Sequence, residues 1–213
     1  VPQSNGLFIS FEGIDGVGKS TQADLMENYL ISKGHEVVRT LEPGGTELGV
    51  EIRHLLLHRK GEVSARSEAL LYAADRAHHV ASLIRPALAK GQIVISDRYL
   101  DSSVAYQGAG RELDLTQVRD LSIWAVDNLL PELTVLLDLD AEAAAIRRDK
   151  TGAEPDRLER EKISFFEAAR STYKELAAAE PTRFHVVDAN QTPDAIWGQI
   201  QPRLDALLES KGL

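Results

Sequence analysis

Gly13-Ile14-Asp15-Gly16-Val17-Gly18-Lys19-Ser20 decides how this chain is read. Its spacing, G-x-x-x-x-G-K-S, is that of a phosphate-binding P-loop. An apolar run with strand character, Leu7 to Phe11, leads into it, and a helix-competent stretch, Ser20 to Ser32, leads out. Glycines let the backbone curl until its N–H groups face phosphate oxygens, and the N-terminus of the following helix adds partial positive charge. Lys19 is placed to reach the β- and γ-phosphates, and the Ser20 hydroxyl to ligate Mg²⁺. A nucleoside triphosphate is therefore the expected ligand of Gly13, Ile14, Asp15, Gly16, Val17, Gly18, Lys19, Ser20 and Thr21.

Outward from this loop, strands alternate with helices, the pattern of a parallel sheet with helices on both faces. Strands are expected at Leu7–Phe11, His35–Thr40, Gln92–Ser96, Leu133–Leu139 and Arg183–Val187. Helices are expected at Ser20–Ser32, Glu47–His58, Arg66–Lys90, Leu115–Asn128, Ala141–Arg148, Arg157–Ala179 and Thr192–Leu208, with Gly34 and Gly91 placed as stops. The fold class is α/β: a P-loop NTPase fold with a five-stranded parallel sheet and a flexible lid. A single domain is expected over residues 1–213.

At 43% hydrophobic residues the chain has enough apolar side chains for a proper core. It has no cysteine, which excludes disulfides, cysteine-based zinc sites and thiol nucleophiles. The opening residues Val1 to Gly6 have neither the basic flank nor the apolar stretch of a signal peptide, and no run approaches a membrane span. The expectation is a cytoplasmic protein with no membrane partner. A formal net charge of −9 argues against a nucleic-acid partner, which needs a basic face, and is no obstacle to a nucleotide bound by a few converging arginines.

Several short constellations sit where ligands of open α/β sheets bind, beyond the carboxyl ends of strands. Asp97 ends the apolar run Ile93-Val94-Ile95-Ser96, where P-loop proteins commonly place a carboxylate beside Mg²⁺. Arg98 follows at once and faces the place of a second phosphate group; a strand-end ion pair is the alternative reading. Glu42-Pro43-Gly44-Gly45-Thr46 closes the second strand and reads equally as a plain turn or a site. Arg53, about two helical turns on, is in range of the same crevice or solvated on the surface. Tyr72 and Arg76, four apart on a helix, share a face suited to a planar base or to core packing. The segment Asp101 to Arg111 is dense in small hydroxyl, amide and glycine residues that shape a polar pocket or a surface loop. No Asn-Lys-x-Asp guanine-reading motif is present, and Asp97 is followed by Arg98-Tyr99-Leu100 rather than a switch sequence.

Taken together, Phe11-Glu12-Gly13-Ile14-Asp15-Gly16, Glu42-Pro43-Gly44-Gly45-Thr46, Asp97-Arg98-Tyr99, Ala105-Tyr106-Gln107-Gly108 and the spaced set Glu68, Tyr72, Arg76 resemble the bacterial thymidylate kinases, a family of P-loop nucleoside-monophosphate kinases. The resemblance runs from about Leu7 to Leu208. It implies Mg²⁺-dependent transfer of the ATP γ-phosphate to dTMP, and a homodimer. It further implies that Lys19 and the P-loop amides cradle the ATP phosphates, with Ser20 and Asp97 at the metal. Asp15 would organise the acceptor end, Arg98 would grip the dTMP phosphate, and Arg53 would be its partner. Tyr72, where the family usually has Phe, would stack on thymine; Arg76 would donate to a thymine carbonyl; Ser103 would face the base edge. Tyr106, beside Gln107, would crowd the sugar, and Pro43, next to Glu42, would accommodate the thymine methyl.

In the family a catalytic arginine comes from the P-loop or from the lid. Ile14, Asp15, Gly16 and Val17 include none. The lid, about residues 147–157, offers Arg147, Arg148 and Arg157, together with Lys150 and Thr151, and spacing does not choose among them. Two rivals remain at this stage: another small-acceptor P-loop kinase, and a nucleotide-dependent binding protein without turnover.

Overall fold

β1 (Leu7–Glu12) is buried at every position, as a central strand covered on both faces must be. β2 (Val37–Leu41), β3 (Ile93–Asp97), β4 (Leu133–Asp138) and β5 (Phe184–Asp188) complete an all-parallel sheet in the order β2-β3-β1-β4-β5. The structure is a computed structural model and describes residues 6–150, 152 and 154–213. The lead-in through Asn5, and Thr151 and Ala153 of the expected lid, lie outside the described residues. The register sets Phe11 against Asp97, so β3 delivers its carboxylate beside the start of the P-loop.

The helices are α1 (Lys19–Ser32), α2 (Glu47–Leu57), α3 (Ala65–His79), α4 (Arg85–Ala89), α5 (Leu100–Ser103), α6 (Leu115–Ala125), α7 (Ala141–Asp149), α8 (Ile163–Ala179) and α9 (Pro193–Lys211). Leu7, Ile9 and Phe11 of β1 join one core with Met26 and Leu30 of α1 and Ile200 and Leu204 of α9. Phe8 joins a second core with Ile84, Leu88, Val94 and Tyr99. Alternation along the strand puts Ser10 and Glu12 on the face of Phe8. That parity fixes where Glu12 projects.

Strand ends differ from the sequence reading by one or two residues, and three helices depart from it in ways that matter. The helix expected over Arg66–Lys90 is interrupted after His79 by a π-helical turn, Val80–Ile84. Pro86 follows; it has no N–H to give the preceding turn, and the wider turn absorbs the loss. α6 stops at Ala125, because Asp127 and Asn128 take positive φ angles. The helix expected from Arg157 begins only at Ile163. Before it, the Asp156 carboxylate accepts from the N–H groups of Leu158 (2.8 Å) and Glu159 (2.9 Å), a tight local turn that competes with helix. Arg157 therefore does not start the long helix.

Candidate active site

Two clefts open side by side at the carboxyl ends of the central strands. The larger, about 1050 Å³, is walled by Gly16, Gly18, Lys19, Ser20 and Thr21 of the P-loop region and by Asp97. The smaller, about 520 Å³, is walled by Pro43, Tyr72, Arg76, Tyr106 and Gln107. Asp15, Glu42, Arg53 and Arg98 border both. Gly13, Ile14 and Val17 do not line the larger cleft: Ile14 and Val17 are buried in the core.

Gly13 has φ +134°, and a Cβ there would stand 2.5 Å from the Leu137 carbonyl oxygen. Gly16, at φ +90°, would drive a Cβ into the Ala144 carbonyl, so the loop packs directly on α7. Both positions need glycine for conformation and for space. Lys19 Nζ donates to the carbonyls of Gly13 (3.1 Å) and Ile14 (3.0 Å). Burial and the neighbouring Arg98 lower its pKa, against the pull of Asp15 and Asp97. The Ser20 hydroxyl donates to Asp97 Oδ2 at 2.9 Å.

Between the clefts stands Arg98, at φ +72° despite its side chain. Its N–H donates to the Phe11 carbonyl at 2.9 Å, tying this strained residue to β1. Its Nη2 donates to Asp15 Oδ1 (2.6 Å) and to the Tyr106 hydroxyl (3.1 Å), which donates in turn to Asp15 Oδ2 (3.1 Å). Its Nη1 donates to Ser102 Oγ (3.0 Å) and the Tyr173 hydroxyl (3.3 Å). Burial opposes the charge on Asp15, but Arg98 and Lys19 outweigh it and hold the carboxyl well below its usual range.

At the far end of the smaller cleft, Arg76 is 1% exposed. It donates from Nε to Glu42 Oε2 (2.6 Å), from Nη1 to Ser103 Oγ (3.0 Å) and from Nη2 to the Tyr99 carbonyl (3.1 Å). A guanidinium has about five N–H groups, so donors remain for a ligand. Ser103 itself does not line the cleft; it stands behind Arg76. Glu42 Oε1 is 2.8 Å from His79 Nδ1, and His79 Nε2 is 2.7 Å from Thr40 Oγ1. Arg53 Nη1 donates to the Pro43 carbonyl at 2.7 Å. Gln107 Nε2 donates to Glu68 at 3.0 Å.

The three lid arginines diverge. Arg147 lines the larger cleft and donates to the Ala189 carbonyl at 2.8 Å. Arg148 lines the same cleft, with its guanidinium carbon 5.4 Å from the centre of the Phe166 ring. Its Nε is buried without a hydrogen-bond partner among the described residues. Arg157 borders neither cleft. It donates to the Leu56 carbonyl (2.7 Å) and to Glu68, which also accepts from Arg111 and Gln107. Arg157 thus clasps the lid to α2 and α3.

The sequence reading did not single out Glu12, Ser102 and Tyr173, which surround Arg98, or Asp75. An acidic residue ending a largely apolar strand was a signal for Glu12; Tyr173 had none. Burial and the nearby Asp101 push the Glu12 carboxyl up to about 7. Asp75 Oδ1 accepts from Gly44 N–H (3.1 Å), while its other oxygen is buried without a hydrogen-bond partner among the described residues. Burial and Glu42 push its carboxyl up to about 6.

The sheet order, the phosphate loop and the carboxylate beside it define a P-loop NTPase fold. A family model for thymidylate kinase matches residues 11–200. Thymidylate kinase of Clavibacter sepedonicus is 58% identical over 203 residues, covering 95% of this chain and 96% of that protein. The enzyme of Leifsonia xyli subsp. xyli is 58% identical over 200 residues, 94% and 95% of the two chains. A crystal structure of thymidylate kinase from Ehrlichia chaffeensis aligns with a TM-score of 0.71 at 34% identity, over 85% of this chain and 92% of that one. The chain belongs to the thymidylate kinase family, and so to the phosphotransferases. Among the described residues, no helix is long and apolar enough to cross a membrane.

Proposed function

We propose that this protein transfers the γ-phosphate of ATP to dTMP, giving dTDP and ADP. The observation that carries the reading is the pair of clefts sharing Asp15 and Arg98, with the P-loop lysine on one side and Tyr72 and Arg76 on the other. ATP occupies the larger cleft with its phosphates on the P-loop. dTMP occupies the smaller, its base between Tyr72 and Arg76 and its phosphate at Arg98. An acceptor phosphate oxygen then faces the γ-phosphorus across the common wall. Positioning and charge stabilisation supply most of the catalysis in such transfers.

Lys19 exchanges its backbone partners for the β- and γ-phosphates. Arg148, with an Nε that lacks a hydrogen-bond partner among the described residues and lies 3.8 Å from Asp149, has a seat on the phosphate cleft and is the lid residue best placed to meet charge on the moving phosphoryl group. Arg147 braces the lid against Ala189. Ser20 and Asp97 are hard oxygen donors 2.9 Å apart at the loop's end, a set that fits Mg²⁺ held by one carboxylate, a hydroxyl and phosphates. Mg²⁺ there would neutralise phosphate charge and orient the γ-phosphate. The chain acts as one kinase unit with its lid near residues 147–157, working in the cytoplasm.

A homodimer is part of the same proposal. Leu48, Val50 and Leu55 of α2, Leu70 of α3 and Trp124 of α6 are exposed, and Trp124 is 79% so. Such an apolar set is covered in a stable assembly; light scattering on the purified protein tests it. The reaction itself is tested by an acceptor screen with ATP over dTMP, dUMP, dCMP and thymidine. ADP release led by dTMP is the expected result. Release led by thymidine makes the protein a nucleoside kinase, and binding without acceptor-dependent release makes it a non-catalytic nucleotide-binding protein.

A further inference from the structure

We propose that Glu12 is a positioning residue for the acceptor phosphate: its carboxylate accepts hydrogen bonds from the Ser102 and Tyr173 hydroxyls, so that both hydroxyl oxygens accept from Arg98 and fix the guanidinium between the clefts. This rests on the reading of Arg98 as the group that holds the acceptor phosphate.

Arg98 has N–H groups and no acceptor. Its Nη1 lies 3.0 Å from Ser102 Oγ and 3.3 Å from the Tyr173 hydroxyl, so both oxygens must turn lone pairs toward it. Each hydroxyl carries one proton, which needs an acceptor elsewhere. Glu12 Oε2 is 2.7 Å from Ser102 Oγ and 2.8 Å from the Tyr173 hydroxyl. Ser102 and Tyr173 are also 2.8 Å apart, so a proton that passes from one hydroxyl to the other still reaches the same carboxylate. Glu12 Oε1 accepts from the N–H of Tyr99 at 2.8 Å, which anchors the backbone next to Arg98. With Nη1 satisfied by Tyr173 and by Ser102, which itself lines the smaller cleft, Nη2 is left at the cleft wall with Asp15 and Tyr106.

Glu12 is fully buried and borders neither cleft, so it touches no ligand. It acts through Arg98 alone. The isosteric Glu12→Gln exposes the logic, because either amide orientation creates a clash. With nitrogen in the place of Oε2, it donates to the hydroxyls and turns their protons toward Arg98. With nitrogen in the place of Oε1, it meets the Tyr99 N–H donor to donor.

The test is calorimetric binding of two ligands, dTMP and thymidine, at pH 8, where Glu12, raised to about 7, is ionised, to wild type, Glu12→Gln, Arg98→Ala and the double variant. Only dTMP carries the phosphate. The expected result for Glu12→Gln is a loss of about tenfold or more in dTMP affinity, the scale of a misplaced charge-assisted hydrogen bond, with thymidine affinity unchanged. In the Arg98→Ala background the Glu12→Gln change should cost dTMP nothing further. Ser102→Ala with Tyr173→Phe, which removes both relays and keeps Glu12, should weaken dTMP as Glu12→Gln does, and it serves where Glu12→Gln does not fold. Wild-type dTMP affinity in Glu12→Gln, equal losses for dTMP and thymidine, or an additive loss in the double variant overturns the proposal for Glu12 while Arg98 keeps its role. An Arg98→Ala variant with undiminished dTMP affinity overturns the underlying reading instead.

Discussion

Arg98 and Asp15 form an ion pair, Nη2 to Oδ1 at 2.6 Å, on the wall common to both clefts. The pair unites the P-loop, after β1, with the residue after β3. Neither partner is spare surface charge: Arg98 has 15% of its side chain exposed and Asp15 27%. Arg98 also stacks over Tyr106, 4.9 Å from its ring centre. In the proposed reaction, a phosphate arriving in the smaller cleft would meet a guanidinium already aimed.

Arg98→Ala is expected to weaken dTMP binding by roughly ten- to a hundredfold, the equivalent of ~1.5–3 kcal/mol for a lost charge-assisted contact, and to leave ATP binding nearly unchanged. Isothermal titration with each nucleotide separates the two. Equal losses for both would mark Arg98 as a structural partner of Asp15 only.

Lys19→Ala is expected to slow transfer by orders of magnitude with the fold intact, since in the proposed reaction the side chain meets the phosphates where charge develops. Turnover and circular dichroism on the purified variant check this. Near-normal kcat would sink the reading of the P-loop as the donor site.

Among the lid arginines, Arg148→Ala is expected to lower kcat at least about a hundredfold with little change in the KM for dTMP, the signature of an interaction made mainly in the transition state. Arg157→Ala should instead show itself in stability, because it leaves Glu68 short of a partner and frees the lid from Leu56. Steady-state kinetics and melting of the two variants decide. A larger kcat loss in Arg157→Ala than in Arg148→Ala would reverse the assignment.

Asp75 links stability to pH. Its carboxyl is raised from 3.8 to about 6 by burial and by Glu42, so the folded state keeps this proton to higher pH than the unfolded chain does. Stability from this residue is therefore greatest below pH 3.8 and is lost as pH rises through 6. Asp75→Asn keeps an acceptor for Gly44 N–H and removes the charge. Its unfolding free energy relative to wild type should rise by roughly 2–3 kcal/mol from pH 4 to pH 7. Urea melts at those two pH values measure it; a flat difference would mean that Asp75 stays ionised at no cost.

Much of the architecture was legible because it is written locally. The apolar runs at Leu7, Ile93 and Leu133 are too short for helices and too continuous for surface strands, and the P-loop needs only adjacent residues to announce itself. Tyr72 and Arg76 meet one cleft because four residues make about one helical turn. What tertiary structure alone decided lies across long separations. Glu12 and Tyr173 are 161 positions apart and hydrogen-bonded; no periodicity records that, because it follows from α8 packing against β4 and β5. Arg147, Arg148 and Arg157 read alike as a string of cations. They were told apart only when Leu56 and Glu68 claimed Arg157, Ala189 claimed Arg147, and nothing among the described residues hydrogen-bonded the Nε of Arg148. A side chain's chemical type is local, but its partners are set by the order in which the strands are laid down, and that order places the charges.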